Sequence, residues 1–249
     1  MSHFVRLMKK KDLRGAGYWV LLDPDKLALK KIKQYVIQAL EAEVDCFLIG
    51  GSLLHTTEFD TFVAEVKKHA DNTPVILFPG AVNQISPSAD AILFLSLISG
   101  REAQHLIGSQ VLAAPLIHRL KMETIATAYM LINCGKPTSA QIISGTIPLP
   151  CDKPEIVVAH ALAAQYLGFR LIYLEGGSGA DHSVPVNIIR AVTGAVSIPV
   201  IVGGGIRSAQ DAAEKVRAGA SFIVTGNILE NNSDGNLLKS ISNAVHSLR

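Results

Sequence analysis

Eight short apolar runs alternate with helical patterns along 249 residues and predict a single α/β domain, a (β/α)8 TIM barrel that lacks its third helix. Two further observations support this class. Several runs are continuously apolar, as parallel strands covered on both faces should be. The link after the third run, PGAVNQISPSAD, is only a dozen residues long and holds Pro79 and Pro87. A parallel crossover normally needs a dozen or more residues carrying a helix, which the two prolines oppose here.

Taken in order, strands are expected at 18–22 (YWVLL), 44–49 (VDCFLI), 74–78 (PVILF), 91–97 (AILFLSL), 125–132 (IATAYMLI), 170–174 (RLIYL), 199–202 (PVIV) and 221–225 (SFIVT). Each is rich in β-branched or aromatic residues. Helices are expected at 26–42, 56–70, 101–108, 154–167, 185–193, 208–218 and 236–248. No linker, low-complexity segment or charge run divides the chain, so residues 1–249 read as one domain.

Composition narrows the function. The chain is 49% hydrophobic and 18% charged, with a formal charge of +2 and a mean hydropathy of +0.31. No basic stripe interleaved with aromatics is present, which argues against nucleic acid as a partner. The basic start MSHFVRLMKKKDLRG has no apolar stretch behind it and does not read as a secretory signal. The run AILFLSLI at 91–98 is too short to span a bilayer. Cys46, Cys134 and Cys151 have no metal-ligand spacing and fit reduced thiols of a cytoplasmic protein.

Three glycine-rich turns follow the last three strands: YLEGGSGA (173–180), VGGGIRS (202–208) and TGN (225–227). Barrels often bind phosphate at this corner through backbone N–H groups and a helix N-terminus. One glycine triplet alone suits a tight strand–helix turn. Three on adjacent strands favour a phosphate monoester.

Across the mouth, the first strand ends in LLDPDK (21–26) and the second in IGGS (49–52). Asp23 and Ser52 form a plausible hard-oxygen pair for Mg²⁺, which binds through one or two carboxylates plus substrate phosphates. Helix capping competes for both residues, and for Asp25 capping is the preferred reading. Glu175, at the end of a buried strand beside the glycine turns, is costly unless used or paired. It reads either as a general base or as a salt-bridge partner of Arg207 or Lys26. The histidines show no metal or triad spacing, and the Met and aromatic positions read as core.

The ordered set LLDPDK, IGGS, GKPTSA (135–140), YLEGGSGA, VGGGIRS and TGN resembles the geranylgeranylglyceryl phosphate synthase family. These are prenyltransferases that attach a polyprenyl chain to sn-glycerol 1-phosphate, on a barrel lacking its third helix. The resemblance spans nearly the whole chain. It implies that Asp23 and Ser52 hold Mg²⁺ with the prenyl diphosphate. Tyr173, Leu174, Glu175, Gly176, Gly177, Ser178 and Gly179 would cradle glycerol 1-phosphate, and Gly204, Gly205, Gly226 and Asn227 would hold its phosphate. Glu175 would take the proton of the attacking hydroxyl, which Tyr173 helps to hold.

Some members carry a lysine where this chain has Leu21, which suggests the longer, archaeal-like branch over the short heptaprenyl-transferring bacterial one. Lys26 and Arg207 are then the candidate cations for the phosphate. The expected donor is geranylgeranyl diphosphate, lying in a groove where the third helix is missing. The resemblance further implies a homo-oligomer, dimer or hexamer, and a membrane-surface contact for the lipid product. One rival is a phosphate-binding isomerase or cyclase, but the cyclase pattern needs an aspartate at the end of strand five, where this chain has Asn133. The other is a non-catalytic barrel, which loss of Asp23 or Glu175 would have favoured.

Overall fold

The computed structural model describes residues 1–226 and 235–247. The apolar runs form eight parallel strands: β1 (Gly17–Leu22), β2 (Cys46–Ile49), β3 (Val75–Leu77), β4 (Ala91–Leu97), β5 (Glu123–Leu131), β6 (Leu171–Glu175), β7 (Val200–Gly203) and β8 (Phe222–Gly226). They pair in sequence order, and β8 returns to β1 to close the barrel. Side chains alternate along each strand. On β6, Leu171 and Tyr173 enter the barrel interior, whereas Ile172 and Leu174 enter the layer beneath the helices.

Around the strands lie α2 (Leu29–Glu41), α3 (Phe59–His69), α4 (Ser109–Leu120), α6 (Pro154–Tyr166), α7 (Val186–Ala195), α8 (Ala209–Arg217) and α9 (Asn236–His246). As expected, residues 78–90 between β3 and β4 form no helix.

Three departures from the sequence reading have physical causes. The basic N-terminus forms a helix, α1 (His3–Arg14), capped by the Ser2 hydroxyl on the Val5 N–H. Its first N–H groups also meet the Glu123 carboxylate at the start of β5: His3 donates at 2.6 Å and Phe4 at 3.1 Å. Phe4 and Leu7 then plug the barrel floor against the interior cluster of Trp19, Leu93 and Phe222. The helix expected at 101–108 is a π-helical turn, Gln104–Gly108, that runs into α4 and continues to Leu120 through Pro115. A short helix, α5 (Ser139–Ser144), begins at the end of GKPTSA, in a stretch with no expected helix.

The floor is tied to both ends of the described chain by Asp45, which is buried. It accepts Lys10 Nζ and His246 Nε2, each at 2.8 Å, Arg14 Nη1 at 3.3 Å and the Tyr18 N–H at 2.8 Å. Burial alone would raise this carboxyl, but His246 and Lys10 hold it below its ordinary value.

Candidate active site

The carboxyl-terminal mouth opens into a cavity of about 830 Å³. Its lining joins the ends of the strands to a long apolar wall. Because Tyr129 on β5 stands opposite Tyr173 on β6, and Leu131 opposite Glu175, the inward positions of the two strands share layers. Tyr173 stacks on Phe78 from the end of β3, with centroids 4.9 Å apart and planes at 15°, and Tyr129 meets Phe78 edge-on at 5.8 Å. The composition reading placed Tyr129 and Phe78 in the core. The structure puts both on the cavity wall.

Glu175 sits one layer nearer the mouth than Tyr129 and Tyr173, with only 6% exposure. Its Oε1 accepts the Gly177 N–H at 2.5 Å, and Tyr173 and Tyr129 lie against the same carboxyl, where their hydroxyls favour its ionised form. Burial raises Glu175 to about 7, against the pull of the Gly177 amide and both tyrosines toward the ionised form. Neither expected salt bridge forms. Lys26 Nζ lies 3.2 Å from Asp23 Oδ2, and Arg207 donates to the Ala180 carbonyl at 2.6 Å. Among the described residues no cation pairs with Glu175. A carboxyl of this kind changes charge near neutral pH and suits proton transfer.

The glycine turns divide by what demands them. Gly204 adopts φ +81°, and a Cβ there would strike Glu175 Oε1 and the Gly177 nitrogen, so chain geometry alone calls for glycine. A Cβ at Gly177 would strike Thr138. Gly226 is different. A Cβ there would meet nothing closer than Leu21 atoms at 3.8 Å, yet the residue faces the cavity. Its missing side chain leaves room at the cavity wall instead of relieving a clash within the protein.

Hydrogen bonding further sorts the donors. The N–H of Gly176 is spent on Gly203 O at 2.9 Å, and that of Gly177 on Glu175. Ser178, Gly179, Gly204 and Gly205 line the cavity with N–H groups unbonded to other described residues. Leu174 turns outward into the helix layer, so only its backbone faces β5 and β7. Asn227 lies outside the described residues.

Asp23 and Ser52 face the cavity on the opposite side. Capping explains neither, since α2 is capped at Ala28 and α3 at Glu58. Asp23 Oδ1 accepts the Asp25 N–H at 3.1 Å. Asp25, expected as a helix cap, instead accepts the N–H groups of His55 and Thr56, both at 2.8 Å, and ties down the loop after β2. Among the described residues no three His, Cys, Asp or Glu side chains could hold a metal ion on their own. One carboxylate and one hydroxyl fit a Mg²⁺ that shares its remaining positions with phosphate oxygens and water.

The apolar wall lies where the third helix is missing. Leu93 and Leu95, on the inner face of β4, and Ile92 and Phe94, on its outer face, line the same cavity with Ala113 and Ile117 of α4 and Ile85 of the 78–90 loop. The space therefore passes from the mouth over β4 into a groove against α4.

A closed parallel barrel with a buried acid–tyrosine group, glycine turns and an apolar groove at its carboxyl-terminal mouth defines a (β/α)8-barrel enzyme. More particularly, the chain belongs to the PcrB family, whose model it matches over residues 7–245. It is 46% identical over 218 residues to a geranylgeranylglyceryl phosphate synthase of Spirosoma linguale, covering 88% of this chain and 87% of the relative. A synthase of the same name from Chitinophaga pinensis is 42% identical over 230 residues, 92% of this chain and 90% of the relative. Among solved structures, (S)-3-O-geranylgeranylglyceryl phosphate synthase of Thermoplasma acidophilum, in complex with sn-glycerol-1-phosphate, superposes with a TM-score of 0.91 at 32% identity, covering 100% of both chains.

Proposed function

We propose that this chain is a prenyltransferase that joins sn-glycerol 1-phosphate to geranylgeranyl diphosphate through an ether bond. The observation that carries this reading is the meeting of three environments in one cavity, with Glu175 between the glycine turns and the apolar groove. The N–H groups of Ser178, Gly204 and Gly205, bonded to no other described residue, receive the phosphate with the room left at Gly226. Tyr173 and Glu175 orient the glycerol, and Glu175 takes the proton of the attacking hydroxyl as the C–O ether bond forms. The C1–O bond to diphosphate breaks in the same exchange. Phe78, Tyr129 and Tyr173 present ring faces and edges to the reacting carbon, an environment that favours developing positive charge.

Asp23 and Ser52 would hold Mg²⁺ with the donor diphosphate, where the ion supplies charge neutralisation to a leaving group. Lys26, beside Asp23, and Arg207, beside the glycine turns, add positive charge at the two ends. The groove over β4 receives the prenyl chain, and the cavity as a whole, about 830 Å³, sits within the roughly 300–1,000 Å³ of pockets that engulf a ligand. A donor of C20 rather than C35 is our reading, because the strands flanking the groove are seven and nine residues long, on the order of 20–30 Å.

Exposed apolar side chains at Val111, Leu112, Ile142 and Ile147 support a homo-oligomer, dimer or hexamer, or contact of the product-laden mouth with a membrane surface. Light scattering and vesicle flotation separate these two uses. No helix among the described residues is long and apolar enough to cross a membrane. The unpaired cysteines fit a cytoplasmic setting.

The experiment is product analysis by mass spectrometry with sn-glycerol 1-phosphate and C15 to C35 diphosphates offered together. A C20 ether as main product supports the proposal. No ether with any donor overturns it, and a dominant C35 ether overturns the chain-length reading.

A further inference from the structure

The 78–90 loop that replaces the third helix contains a glutamine that is fully buried. Gln84 has 0% exposure and does not line the cavity. Its side-chain amide is used at both ends. Oε1 accepts the N–H groups of Gly51 and Gly80, each at 3.2 Å, and Nε2 donates to the Gly51 carbonyl at 2.8 Å. One side chain thus satisfies both backbone groups of Gly51, as a neighbouring strand would, while bracing its own loop at Gly80.

The two loops meet with no side chain between them. A Cβ on Gly80 would overlap the Gly51 carbonyl and lie 3.0 Å from Ser52 Cα, and a Cβ on Gly50 would overlap the Phe78 carbonyl. On its other side Gly51 abuts Asp23, whose Oδ1 lies 3.4 Å from the position a Gly51 Cβ would take. Gly51 is therefore held between the Gln84 amide and the Asp23 carboxylate, with Ser52 next in the chain. The two candidate ligands come from different strand ends, and Gly51 abuts one and precedes the other.

We infer that Gln84 is a positioning residue for the diphosphate end of the site. In place of the missing helix, it fixes Gly51 so that Asp23 and Ser52 face one anion together. This rests on the proposed function, which assigns that end to the prenyl diphosphate and Mg²⁺. The glycerol phosphate end is built from β6, β7 and β8 and shares no hydrogen bond with Gln84. The inference therefore predicts a split between the two substrates, which a general loss of packing would not produce.

The test is calorimetric binding of geranylgeranyl thiodiphosphate, a non-reacting donor analogue, with Mg²⁺ and without it, beside binding of sn-glycerol 1-phosphate. Gln84→Leu removes all three bonds. Gln84→Glu keeps the size and both accepted bonds but replaces the donor to Gly51 with a second acceptor, so it serves if the leucine variant does not fold. Outer-shell partners of metal sites typically control affinity by about 10- to 100-fold. The expected result is Mg²⁺-dependent analogue binding weakened about 10-fold or more in either variant, with glycerol phosphate affinity within about two-fold of wild type. Unchanged analogue binding in folded variants, or an equal loss for both ligands, overturns the role of Gln84. Failure of the wild-type protein to bind the analogue with Mg²⁺ overturns the functional reading beneath it.

Discussion

Glu175→Gln separates the two consequences of burying a carboxyl at the centre of the mouth. Raising Glu175 from 4.5 to about 7 costs its ionised form about 3 kcal/mol, at about 1.4 kcal/mol per pH unit. Since the folded value lies above the unfolded one, the stability contribution is fully present below about pH 4.5 and is lost as pH rises through about 7. Glutamine keeps the shape and an oxygen that accepts from Gly177, but it never ionises. The variant should therefore match wild type near pH 4.5 and exceed it at pH 8.5 by up to about 3 kcal/mol. In a chain of this size that is a rise in Tm of up to about 6–12 °C. The same substitution removes the proposed base, so turnover should fall about 10²- to 10⁴-fold at every pH. Differential scanning calorimetry at the two pH values, with a rate assay on the same samples, reads both effects. Equal Tm for the two proteins at pH 8.5, or turnover within about three-fold of wild type, would refute the assignment of Glu175 as a strained, functional acid.

Four further outcomes are expected. Tyr129→Phe removes a hydroxyl that favours the ionised form of Glu175, so the acid limb of the wild-type pH–rate profile should move to higher pH; a limb that stays put or moves to lower pH contradicts the hydrogen-bond assignment. Asp23→Asn, and chelation of Mg²⁺ with EDTA, should each remove most turnover while sn-glycerol 1-phosphate still binds, as read by thermal shift; near-normal rates in either case sink the metal assignment. The sn-3 enantiomer of glycerol phosphate should react far more slowly than sn-1, because the proposed site would hold glycerol at several points through Tyr173, Glu175 and the glycine turns; equal rates argue against this site. Ala113→Phe should fill the groove against α4 and shift products toward shorter donors in a mixed-donor assay, since displacing one isoprene unit forfeits up to about 4 kcal/mol at roughly 0.8 kcal/mol per buried carbon; an unchanged product distribution places the chain elsewhere.

Strands, turns and the missing third helix were legible in the sequence because each is a local property. Apolar runs announce parallel strands wherever they lie, and Pro79 and Pro87 oppose a helix in a link at the short limit for a crossover. The position of Asp23, Ser52, Glu175 and the glycine turns at strand ends also follows locally, since parallel strands all end at one face. The tertiary structure decided what these residues meet. Whether Glu175 bonds to a cation or to tyrosines depends on β5 and β6 aligning Tyr129 with Tyr173, a register set by closure of the whole barrel. Local pattern could not separate Phe78 and Tyr129 from the core, because an inward aromatic at a strand's end and one at its middle carry the same signal. The charged N-terminus hid a plug because Glu123, more than a hundred residues away, completes its cap. Gln84 gave no sign at all. A lone glutamine in a proline-containing loop reads as exposed until folding carries Gly51, 33 residues earlier in the chain, against its amide.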